Sequence, residues 1–185
     1  MAARDMLLRT SLADLSMDEL ARAADVSRGT LYRVFPGKAA LLNGLIVEYS
    51  PFDSVRAIVS AHHSEPPEIV LPLIAREVAG RAGEQIGLLR AIFLEVTSGS
   101  EPALSGVSPL FAAALGELAD YLAGQMAAGR VRLMDPVLAL QAFIGPILFH
   151  LMTRATIAHI GAMPLPLEQA IAELVRVSTA GLASE

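Results

Sequence analysis

Cysteine is absent from the chain, which removes disulfide frameworks and thiolate metal sites from consideration. Lysine is nearly absent: Lys38 is the only one, and arginine supplies every other cation. The four histidines, His62, His63, His150 and His159, include no i, i+4 pair, and no H-E-x-x-H spacing occurs, so no metal site is expected. A nucleophile elbow and a phosphate loop are also missing, which argues against the commoner hydrolase and nucleotide chemistries and for no cofactor. Met1 is followed by Ala, Ala, Arg and Asp, without the apolar core of a signal peptide. The most apolar stretch, residues 137–152, is interrupted by Gln141, Pro146 and His150, and is expected to fall short of the roughly 18 apolar residues of a membrane span. A soluble, cytoplasmic protein without membrane contact is the expectation. Strand-type alternation of β-branched residues is lacking, and the apolar periodicity is helical throughout, so the expected fold class is all-α.

The chain is rich in apolar residues, 54% of its 185, enough to bury a large core. Its net charge of −5 speaks against nucleic acid, but the distribution does not. Between Arg22 and Lys38 stand four cations, Arg22, Arg28, Arg33 and Lys38, against one anion, Asp25. A local basic face on an acidic body suits a reader of phosphates, whose attraction is short-ranged at physiological salt. The simpler reading, a solvated helix face, leaves unexplained why the cations gather on the motif described next.

That motif is Ser16 to Lys38, SMDELARAADVSRGTLYRVFPGK. Ser16 and Glu19 have the spacing of a capping box. Met17, Leu20, Ala21 and Ala24 then form one apolar stripe. Asp25 and Val26 allow only a sharp reversal, Ser27 caps a second helix, and Leu31, Val34 and Phe35 give its inward face. The layout is a helix-turn-helix, whose second helix would enter a DNA major groove.

The fuller string from Val26 to Lys38, with its Thr-Leu-Tyr, Phe35 and Lys38, resembles the signature of the tetracycline-repressor (TetR) family of bacterial transcriptional regulators. The close resemblance covers roughly residues 10–48. It implies a three-helix DNA-binding head at residues 1–48, a helical body for effector binding and dimerisation at residues 49–185, and a homodimer paired through its last two helices. It further implies DNA contacts from Thr30, Tyr32 and Lys38. Two departures stand out. Asp25 occupies the motif turn, where the family commonly has glycine; aspartate tolerates positive φ less comfortably. Met1 falls inside the family's first helix, so that helix is expected to be truncated.

Helical-wheel geometry puts Gly29 and Arg33 on the outer face of the second motif helix, with Thr30 and Tyr32 on its flanks. Gly29 lets the backbone approach the groove, Arg28 near the helix start is suited to a base edge, and Arg33, Tyr32 and Lys38 are suited to phosphates. Ser27 has two roles open to it, capping and phosphate bonding. Tyr32 also has a simpler role, that of a half-buried core aromatic.

Farther along, helices are expected at residues 2–10, 38–49, 52–62, 68–81, 84–96, about 110–128, 136–160 and 167–182, with a loop at 98–106. The helix at 136–160 is apolar nearly all round in its first four turns, so two sides are expected to be covered, one by its own domain and one by a second copy or by a surrounding bundle. Glu95, Gln141, His150 and Thr153 are polar groups on otherwise apolar helices and are the candidates for orienting an effector. For His150 the competing reading is a partnered core or interface histidine. The expected function is a ligand-responsive repressor released from a palindromic double-stranded operator by a small apolar or amphipathic molecule. The alternatives are an interaction protein that keeps the fold without binding DNA, and an all-helical enzyme.

Overall fold

The structure is a computed structural model and describes residues 2–99, 101–161 and 165–184, with the backbone alone for residues 84, 102–104, 106–112 and 114. Ten helices and no sheet are present among the described residues, as an all-α chain requires. They are α1 (Ala2–Leu7), α2 (Met17–Ala23), α3 (Arg28–Val34), α4 (Lys38–Tyr49), α5 (Phe52–Ala61), α6 (Pro67–Glu84), α7 (Ile86–Ser98), α8 (Glu101–Ala127), α9 (Pro136–His159) and α10 (Leu167–Leu182).

Local chemistry sets several of these boundaries. Ser16 Oγ accepts the Glu19 amide at 3.3 Å, and Asp135 Oδ1 accepts the Leu138 amide at 2.8 Å, with Pro136 behind it in the first turn, where no partner for its missing N–H is needed. Gly99 ends α7 at φ 66. The expected loop at 98–106 is not observed: α8 already starts at Glu101. Pro102 lies in its first turn, where proline is tolerated, and Ser105 Oγ donates back to the Glu101 carbonyl at 2.8 Å, so the serine and proline that read as loop are absorbed by a helix start. Leu118, Tyr121 and Leu122 of its apolar stripe are buried, whereas the side chains of Leu110, Phe111 and Ala114 lie outside the described residues.

Two compact units form. One comprises residues 1–50 and 85–112, the other residues 51–84 and 113–185. Compared with the expected division at 48/49, the segment 85–112 groups with the head. In the first unit α1 packs on α2, α4 and α7, and α2 packs on α3. Leu15, Met17, Leu20, Ala21, Leu31 and Leu41 form its core, with Met6, Tyr32 and Phe35 packed against them. The pair Asn43-Gly44, a hairpin signal in isolation, sits inside α4: a Cβ on Gly44 would come within 2.7 Å of Phe35 Cε1, so the glycine makes room for that ring.

In the second unit α6 packs on α5, α9 and α10, and α10 on α9. Val70, Leu71, Ile74, Phe143 and Ile147 are fully buried there. The turn before α6 is held by α8: Tyr121 Oη and Gln125 Nε2 both donate to the Glu65 carbonyl, at 2.9 and 3.1 Å. Burial pushes the Tyr121 phenol well above its usual range, so it stays a donor. The loop after α8 is tied to the end of α10, where the Arg132 amide donates to the Leu182 carbonyl and Ser184 Oγ to the Gly129 carbonyl.

α9 has two characters. Ala139, Leu140, Phe143, Ile147 and Leu151 are buried, whereas Leu138 and Phe149, eleven residues apart and so on one face, are 53% and 68% exposed. It is long and apolar enough to cross a membrane, alone in this among the described residues, with 28% of its most apolar window buried. The whole helix, with a mean hydropathy of 1.6 over its most apolar window, meets this length-and-composition test although Gln141, Pro146 and His150 interrupt the stretch at 137–152.

Candidate nucleic-acid interface

Ser27 does the capping: its Oγ accepts the Thr30 amide at 3.0 Å and lies 2.8 Å from Thr30 Oγ1. α3 is only seven residues long, too short to hold itself together, and Leu31 is its one buried residue. Burial of that leucine, on the order of 1.5–3 kcal/mol, fixes which side faces out. Gly29 and Arg33 are exposed and Thr30 is half-exposed, as the wheel requires. Val34 is a correction: expected inward, it is 59% exposed, because Leu31 and Phe35 define the inner direction and Val34 lies about 80° away from it. Sequence reasoning thus missed one apolar group beside Thr30 and Arg33, of a kind that meets thymine methyls.

The cations differ in freedom. Arg33 and Arg22 are exposed, and their guanidinium groups make no ion pair or hydrogen bond among the described residues. Arg28 Nε lies 3.1 Å from Asp18 Oδ1, with its guanidinium 5.4 Å from the Tyr32 ring centroid. This exposed pair is worth little and yields readily to a better partner. Tyr32 is half-buried against the core, which meets the simpler expectation for its ring. Lys38 Nζ donates to the Ala13 carbonyl, so it ties the start of α4 to the loop after α1.

The turn before α3 shows the strain its sequence announces. Asp25 has φ 54, the only non-glycine residue with positive φ among those described. The Val26 amide donates to the Ala21 carbonyl and the Asp25 amide to the Arg22 carbonyl, at 3.0 and 3.2 Å, which is a Schellman end to α2 that calls for a left-handed residue at position 25.

The four effector candidates are not brought to one place. Glu95, in the first unit, is buried and accepts the Leu12 amide at 2.6 Å, a contact spanning 83 positions that no sequence signal announces. In the second unit Gln141 is exposed, and lies half a helical turn round α9 from His150. Thr153 Oγ1 donates to the Phe149 carbonyl at 2.7 Å. His150 Nε2 lies 3.3 Å from Arg154 Nη1; desolvation, and then the Arg154 charge, lower its pKa below the ordinary imidazole value.

A capped, outward-facing second motif helix with exposed arginines beside it has the layout of a helix-turn-helix DNA-binding head. Residues 1–45 match the sequence model described as bacterial regulatory proteins, tetR family. The head is thus similar to TetR-family DNA-binding domains, and the chain as a whole has the fold of TetR-family regulators. Among solved structures, NalD, the secondary repressor of the MexAB-OprM multidrug efflux pump in Pseudomonas aeruginosa, is 20% identical, with 98% of this chain and 92% of that one covered and a TM-score of 0.71. FadR from Bacillus subtilis, solved with stearoyl-CoA, is 17% identical, with 98% and 96% covered and a TM-score of 0.77. The flavonoid-responsive regulator FrrA is 28% identical, with 98% and 93% covered and a TM-score of 0.60. No curated protein matches the chain.

Proposed function

We propose that this protein is a ligand-responsive repressor that binds a palindromic operator as a homodimer and is released by a small apolar or amphipathic effector. The observation that carries this reading is the geometry of α3: Ser27 caps it, Leu31 locks its inner side, and Gly29, Thr30 and Arg33 are left facing solvent. Arg28 reads a base edge after leaving Asp18, and Arg33 and Lys38 engage phosphates, as do the hydroxyls of Ser27 and Tyr32. The exposed face of α9 with Leu138 and Phe149, joined by Val177 of α10, pairs with the same face of a second copy. The protein acts in the cytoplasm and as a regulator, not as an enzyme. The similar structures include a stearoyl-CoA complex and a flavonoid-responsive regulator, which supports control by an apolar or amphipathic ligand.

The test is capture of genomic DNA fragments on the purified protein, followed by footprinting. A protected pseudo-palindrome, bound with an affinity that falls steeply with salt, is the expected result. Failure to protect any fragment at low salt would leave a DNA-free interaction protein as the better reading. Calorimetry with an effector, with and without operator, tests the release step, since linkage requires each ligand to weaken the other by one factor.

A further inference from the structure

Glu95 is the only buried carboxylate among the described residues. It stands in the last turn of α7, where the Ser98 hydroxyl donates to its carbonyl at 2.7 Å and Gly99 ends the helix. Its side chain leaves α7 and accepts the Leu12 amide at 2.6 Å. Leu12 belongs to the connection between α1 and α2, in which Leu12 and Leu15 are both buried. The start of α7 lies against the same connection: a Cβ on Gly87 would stand 3.0 Å from Leu8 Cδ2. Gly87 and Glu95 are about 12 Å apart along the helix axis, so α7 follows the connection from Leu8 to Leu12.

A second tie comes from α4. Lys38, the first residue of α4, donates from Nζ to the Ala13 carbonyl. Ser16, which caps α2, follows in the same segment. The starts of α2 and α4 therefore meet at residues 12–16, and these are the helices on either side of α3. Having seven residues and one buried side chain, α3 cannot fix its own place. It packs on α2, and residues 35–37 alone join it to α4. Its direction is inherited from the two helices that residues 12–16 anchor. A buried amide needs an acceptor, and here the acceptor comes from a separate helix, so the hydrogen bond fixes position as well as satisfying the N–H.

We propose that Glu95 is a positioning residue for DNA binding. By holding the Leu12 amide it fixes the segment from which α2 and α4 start, and with it the angle at which α3 meets the major groove. Glu95 touches no DNA in this role and orients no effector. Its effect on DNA rests on the regulatory reading above; its hold on α3 does not.

The test compares the full chain with Glu95→Ala and Glu95→Gln, at a temperature where all are fully folded. The chain has no cysteine of its own, so spin labels can be placed at Val34→Cys on α3 and Leu94→Cys on α7, both exposed. Dilution with unlabelled protein leaves only distances within one chain. The parent and Glu95→Gln, which keeps an acceptor oxygen, should give one narrow distance distribution, and Glu95→Ala a shifted or broadened one. On DNA, Glu95→Ala should bind the footprinted operator about tenfold or more weaker, with unchanged affinity for random-sequence duplex and an unchanged salt slope, because no phosphate contact is lost. Glu95→Gln should restore operator affinity. Glu95→Asp, one methylene shorter, takes the place of the alanine variant should that not fold. An unaltered distance distribution, or equal losses on operator and random duplex, would overturn the role. A parent protein that binds no DNA would instead sink the regulatory reading, while the label distances still decide whether Glu95 holds α3.

Discussion

Asp25 and Glu95 show what single positions contribute. Asp25 holds a left-handed conformation that costs an L-residue energy, and the Schellman hydrogen bonds keep it there. Asp25→Gly should therefore stabilise the head by about 0.5–1 kcal/mol, read as a higher denaturation midpoint with an unchanged slope. Destabilisation would mean that the carboxylate has a stabilising role in that turn. Glu95 is the only described acceptor of the buried Leu12 amide. Glu95→Ala should cost about 1–3 kcal/mol by orphaning it, while Glu95→Gln, which keeps an acceptor oxygen, should retain most of the stability. Equal losses in the two variants would show that the charge matters more than the acceptor.

The elements on which function turns are α3 and α9. On α3, Arg33 is exposed and its guanidinium has no hydrogen bond or ion pair among the described residues, so Arg33→Ala should leave stability nearly unchanged and reduce the salt slope of DNA binding by about one. Lys38→Ala should lower both affinity and thermal stability, because its ammonium also holds the Ala13 carbonyl. Arg28→Ala should cost on the order of 1–3 kcal/mol and relax specificity at one base position. A uniform loss across sequences would make Arg28 a phosphate contact instead. On α9, burial and Arg154 hold the His150 pKa below its unfolded value. The unfolded chain then binds the proton more readily, so this group's contribution is complete above the ordinary imidazole range and is lost as pH falls below it. The drop in melting temperature between about pH 7.5 and about pH 5.5 should be smaller in His150→Gln than in the parent protein.

At the scale of the whole molecule, the proposal depends on two copies. Leu138 and Phe149, on one face of α9, and Val177 on α10 are 53%, 68% and 61% exposed, apolar groups that a monomer leaves in water. Phe149→Arg should yield monomers in sedimentation at micromolar concentration and abolish tight operator binding, because a lone α3 reads only a half-site. A dimer that survives this change would place the interface elsewhere.

The sequence by itself determined the head. Capping serines, an apolar stripe at helical spacing and a turn needing positive φ are interactions among residues a few positions apart, so Ser16, Asp25, Ser27 and Leu31 were legible without coordinates. Helix existence was legible for the same reason, although the start of α8 was not, since Ser and Pro read as loop until the helix that absorbs them is seen. Only the tertiary structure decided the rest. Val34 faces solvent because Leu31 and Phe35 fix the inner side of α3, and Gly44 inside α4 leaves the room that the Phe35 ring occupies. The partner of Glu95 is 83 positions away. Local periodicity names the elements and their apolar sides; which sides meet is set by packing between distant segments, and that leaves no mark at short range.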